Sequence, residues 1–124
     1  MYKQVVLPVF VLLLWACNSQ EGRKPDRLLN PDQMAALIVD LQMADAWVAI
    51  KRSEGDAPSD MQWKLYDSVF SIHEVNRQIF EQNIQWYATR LAEMDQIYDD
   101  VIQRLNLIQA DTTLKESGSA KSGL

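Results

Sequence analysis

Between residues 30 and 108, apolar side chains return every three or four positions and nowhere sustain the alternation of a half-buried strand. That rhythm commits the chain to helices, and local punctuation divides them. Asn30 suits an N-cap, Pro31 the first helical position and Gln33 the far corner of a capping box. Together they predict a first helix over residues 31–52, stopped by Gly55 and Pro58. Ser59 or Asp60 opens a second, ending near residue 72. Asn76 caps a third, over 77–88, and Thr89 caps a fourth, over 90–107. No Gly or Pro separates the last two, so a single kinked helix is the alternative. The expected fold is all-α, a small bundle of three to four helices.

The apolar faces predict how such helices pack. Met34, Leu37, Ile38, Leu41, Ala44 and Val48 form the main face of the first helix. Val39, Met43, Ala46 and Ile50 form a second stripe on nearly the opposite side. A helix apolar on two sides is either sandwiched within its own domain or offers one side to a partner. The second helix carries Met61, Leu65, Val69 and Ile72 on one side and Trp63, Tyr66 and Phe70 on the other. The third offers Phe80, Ile84, Tyr87 and Leu91, widened by Ile79 and Trp86. The fourth offers Met94, Ile97, Tyr98, Val101, Leu105 and Ile108.

Ahead of this domain lies VVLPVFVLLLWAC. An apolar run of about 12 residues behind Lys3 is too short for the roughly 20 that cross a bilayer, and fits a signal-peptide core. Leu14 and Ala16 before Cys17 resemble a bacterial lipobox, although Trp15 departs from its small or β-branched residue. The resemblance implies cleavage after residue 16 and acylation of Cys17, the single cysteine, which excludes an intrachain disulfide. One acyl chain holds a protein only marginally, whereas several hold it durably. Asn18 stands where an inner-membrane retention signal would have Asp, and Glu21 alone is acidic nearby. The expected location is the cell envelope, lipid-anchored, at the periplasmic face of the outer membrane. The expected organisation is a signal peptide at 1–16, a lipidated tether at 17–29, a helical domain at 30–108 and a disordered tail at 109–124. As flexible coil, about 12 tether residues would span roughly 20 Å, or about 40 Å if extended.

Charge narrows the partners. Loss of Lys3 takes the net charge from −5 to −6, with no basic footprint for nucleic acid. A domain near 80 residues without disulfides supplies only about 3–5 kcal/mol from its core, so a protein partner is a reasonable way to complete its burial.

The segments LLNPDQMAALIVDLQMADA, YDSVFSIHEVNRQIFEQNIQWY and IYDDVIQRL resemble, in order and spacing, the domain-of-unknown-function 4296 family. The resemblance covers residues 24–107 and implies a small helical bacterial lipoprotein. It places the acidic pair of the family's first motif on Asp40 and Asp45, and its middle aromatics on Tyr66, Phe80 and Tyr87. The closing motif falls on Ile97, Tyr98, Asp99, Val101, Arg104 and Leu105. Gln42 departs where the family often has histidine, and Glu74 where a glycine usually ends the helix.

Chemistry is sparse. His73, the single histidine, falls at the end of the second helix, where an imidazolium would favour the helix dipole. No nucleophile pairs with a base by spacing, and Asp99 and Asp100, about 100° apart on a helix, read as a solvated face. No metal, cofactor or enzymatic activity is expected. Trp47, Trp63 and Trp86 read as core rather than a ligand groove. Asp45 is the most constrained polar residue. Within the main face it requires a partner, expected to be Tyr98 or Arg104, with Arg90 as a further donor. The expected function is a protein-interaction module using Val39, Met43, Ala46 and Ile50. The alternative is a small-ligand binder or enzyme with a site between helices.

Overall fold

The computed structural model describes residues 22–121. Among these residues there are four helices and no strand: α1, Pro31–Ser53; α2, Met61–Ile72; α3, Arg77–Ala88; and α4, Leu91–Lys121. The all-α expectation holds, and the third and fourth helices are separate. The signal segment and Cys17 lie outside the described residues.

The start of α1 is the capping box read from sequence. Gln33 N donates to Asn30 Oδ1 at 2.8 Å, and Asn30 N donates to Gln33 Oε1 at 2.9 Å. At its other end Gly55 takes a φ of 75°, while Asp56 N reaches back to Lys51 O at 2.9 Å. The end of α2 repeats this geometry with a less suitable residue. Val75 N donates to Phe70 O at 2.9 Å, Glu74 N to Ser71 O at 3.1 Å, and Glu74 holds a φ of 55°. Asn76 caps α3 through Ile79 N at 2.8 Å. Thr89 closes α3 instead of opening α4, because its hydroxyl donates to Trp86 O at 2.9 Å. Arg90 then accepts the first bond of α4, from Met94 N.

Helix α1 is the centre. Its main face is wholly buried, as Met34, Leu37, Ile38, Leu41, Ala44 and Val48. All but Val48 join one core with Val69 and Phe70 of α2, Tyr87 of α3, and Ile97 and Val101 of α4. Burying a side chain of this size contributes about 1.5–3 kcal/mol. By length and composition alone α1 would suit a membrane span, but its apolar face is occupied by the neighbouring helices. Helix α2 runs antiparallel to α1, with His73 beside Asp40 and Gln62 beside Arg52. Helix α4 advances in the same sense as α1: Arg104 bonds Asp32, and Leu107 and Ile108 share a groove with Ala36 and Val39.

Two boundaries differ from expectation. Residues 22–29 do not behave as a free tether. Pro25 and Leu29 are buried, and the backbone of Arg27 and Leu29 is tied to α3. At the other end α4 passes residue 108 and continues helical to Lys121, through most of the expected tail. Side chains from 106 to 119 are exposed, so core packing does not hold this extension. Its local support is the absence of a breaker before Gly118 and the Lys115–Asp111 pair at 2.6 Å.

Candidate functional site

Two polar arrangements and one apolar surface stand out. The first arrangement lies along the α1–α2 contact. Asp45 is half-buried, and its Oδ1 accepts from Tyr66 Oη at 2.7 Å and from Gln62 Nε2 at 3.1 Å. Arg52 Nη2 continues the chain to Gln62 Oε1 at 3.3 Å. Burial first, then the bond to Asp45, pushes the Tyr66 phenol above its ordinary range, since a phenolate beside a carboxylate is disfavoured. One turn and a half before Asp45, Asp40 Oδ2 accepts from His73 Nε2 at 2.7 Å. His73 is therefore both the C-cap of α2 and a tie to α1. The two acidic positions of the first motif thus fasten opposite ends of one helix.

This corrects the expected partners of Asp45. Tyr98 is 47% exposed, and Arg104 binds Asp100 at 3.0 and 2.8 Å together with Asp32. The wheel position of Asp45 was right, but the helix facing it at that level is α2, because α4 crosses nearer the start of α1. The expected network of Asp45, Tyr98 and Arg104 is therefore two separate networks. Arg104 fastens α4 to the first turn of α1 on its own.

The second arrangement was not anticipated. Asn83 is fully buried, the one buried polar side chain among the described residues. Its Oδ1 accepts from Leu29 N at 2.8 Å, and its Nδ2 donates to Arg27 O and Ile79 O, both at 2.8 Å. Tyr87 Oη donates to Leu29 O at 2.6 Å. Arg27 reaches across to the backbone carbonyl of Glu74. A strap of extended chain is thereby clamped against α3. The signal was present, since Asn83 sits three after Phe80 and four before Tyr87 on an apolar face, where an amide needs buried partners.

The second stripe of α1 divides. Val39 is buried beneath α4 and belongs to the core, because Leu107 and Ile108 cover that level of α1. Met43, Trp47 and Ile50 are 43%, 50% and 49% exposed, with Ala46 exposed among them. The spacing of 43, 47 and 50 puts them on one face. Trp47 joins this surface where the sequence expectation had placed it in the core. Trp63 is likewise exposed, with the Arg77 guanidinium 4.6 Å from its ring.

What these groups can do chemically is bind and hold. Among the described residues, no cluster of three metal-ligating side chains forms, and no buried polar side-chain atom lacks a partner. The Asp40–His73 pair has the elements of a base with an orienting group, but both also serve as helix fastenings. The grooves are surface features. One of about 350 Å³ is lined by Ala36, Val39, Asp40, Arg104, Leu107 and Ile108. No curated protein and no solved structure matches the chain. A family model described as "Domain of unknown function (DUF4296)" matches residues 25–111, which takes in residues 25–29 of the strap, the contacts of Asp40, Asp45, Asn83 and Arg104, and the main face of α1. The chain belongs to this family of unknown function, DUF4296.

Proposed function

We propose that the protein is a lipid-anchored interaction module of the cell envelope, without enzymatic activity of its own. The observation that carries this reading is the exposed stripe of Met43, Ala46, Trp47 and Ile50 on α1. Large apolar side chains left together in water mark a surface that gains from being covered. The N-terminal apolar stretch is compatible with a signal or an anchor. Leu14, Ala16 and Cys17 support the finer assignment to a lipoprotein, Asn18 supports the outer membrane, and Glu21 as the lone acidic residue nearby supports its periplasmic face.

Two experiments bear on the two halves of the reading. Cys17→Ala should abolish labelling by a palmitate analogue and leave an uncleaved precursor; unchanged labelling removes the anchor. Met43→Glu, at a half-exposed position, should fold as the parent does and lose its crosslinked partner in cells. Retention of the same crosslinked species would remove the stripe from the interface.

A further inference from the structure

The strap shortens the protein's leash. Gly22 rests against α3, where an added Cβ would lie 2.7 Å from Gln85 O and 3.0 Å from Trp86 Cα. Further along, Pro25 is buried, and Asn83 and Tyr87 hold the backbone at Arg27 and Leu29. Gly22 is thereby placed beside Trp86. Only five Cα steps separate Gly22 from Cys17. At 3.3–3.6 Å each they reach at most about 18 Å, against about 45 Å had the chain been free from Asn30. The headgroup layer is itself roughly 5–8 Å deep on each side of the hydrocarbon. A domain anchored through Cys17 is therefore kept within roughly 10 Å of the headgroup surface at Gly22, close enough for the end of α3 to settle on it.

The side chains at that point suit the position. Arg23 and Lys24 are exposed, and neither forms an ion pair among the described residues. Arg90 stacks its guanidinium 3.2 Å from the centre of the half-buried Trp86 ring. Leu91, at the first position of α4, is 74% exposed. In a chain of net charge −5 this is a local gathering of cations. Arg90 is paired with Glu93 at 3.9 Å, and Glu21 and Asp26 flank Arg23 and Lys24 in the sequence. Indole and guanidinium groups combine an apolar body with a polar tip and favour the boundary between lipid and water. Basic side chains add attraction to anionic headgroups.

We propose that Arg23, Lys24, Trp86, Arg90 and Leu91 form a membrane-resting face, seated on the headgroups of the bilayer that holds the acylated Cys17. This rests on the lipoprotein reading and goes beyond it, because the strap sets the domain's orientation as well as its location. The occupant is a lipid surface. The remaining tryptophans, Trp47 on α1 and Trp63 on α2, lie away from Gly22; Trp63 meets Arg77 at the opposite end of α3.

The test uses the full-length protein purified from envelopes, its acylation read by intact mass, and reconstituted in phosphatidylethanolamine–phosphatidylglycerol vesicles with or without brominated acyl chains. A Trp47→Phe/Trp63→Phe variant keeps Trp86 as the tryptophan of the mature chain and should lose emission in brominated vesicles. Trp86→Phe, which keeps the other two, should lose much less. Arg23→Glu/Lys24→Glu in the first background alters exposed positions only and should weaken the quenching without releasing the protein from the vesicles. Protein that carries the acyl mass and floats with the vesicles, yet shows no preferential quenching of Trp86, overturns the face while leaving the anchor standing. Protein without the acyl mass overturns both.

Discussion

Glu74 occupies a backbone conformation that suits glycine. At a φ of 55° a Cβ crowds the following carbonyl, at a cost of about 1–2 kcal/mol. Glycine would relieve that strain but loses roughly 0.5–1 kcal/mol more chain entropy on folding. Glu74→Gly should therefore stabilise the domain by about 0.5–1 kcal/mol in denaturant unfolding. The Arg27 contact survives the change, because it goes to the backbone carbonyl of residue 74. A destabilised variant would mean that the Glu74 side chain makes a contribution in solution larger than the strain. The departure at this position was legible in the sequence as a missing glycine. The positive φ tells why the position favours one: the six-to-one bond from Val75 to Phe70 cannot close without it.

At the scale of elements, the α1–α2 pair is held in register by carboxylates. The carboxylate bonds that cross between these helices follow the antiparallel order: Asp45 accepts from Tyr66 and Gln62, and Asp40 from His73. With neutral donors and a half-buried carboxylate, Asp45→Ala should cost about 1.5–3 kcal/mol, at the lower end if water reaches the site. In a double-mutant cycle with Tyr66→Phe the coupling should be on the order of 1 kcal/mol. Additive losses would show that the two groups act independently and that the register is set by packing alone. The same logic applied from sequence chose α4 as the partner. Helical periodicity places Asp45 on a face but carries no information on which neighbour lies across from it at that level.

At the scale of the whole molecule, buried phenols couple stability to alkaline pH. Burial is the first cause of the raised pKa at both Tyr66 and Tyr87, and Tyr87 must keep its proton to donate to Leu29 O. An unfolded tyrosine ionises near pH ~10, and these two ionise above that when folded. Above pH ~10 the unfolded chain releases protons that the folded chain retains, so stability is full below that point and falls as pH rises through the folded values. Tyr87→Phe should start less stable and show a shallower decline over this window. Parallel declines in parent and variant would mean that Tyr87 is not a source of the linkage.

Sequence by itself determined four helices, the Asn30 and Asn76 caps and the main face of α1, because these depend on interactions within about four residues. The helical wheel also singled out Asp45, and the family resemblance pointed to Asp40 beside it. Tertiary structure decided the rest. It chose α2 over α4 as the partner of Asp45, because the level at which two helices cross is set by the whole core. It buried Val39 while leaving Met43 and Ile50 in water, because α4 covers only the first half of α1. And it turned residues 22–29 from a spacer into a strap, because Asn83 and Tyr87, more than fifty positions later, supply the partners that an isolated extended chain would have to find in water.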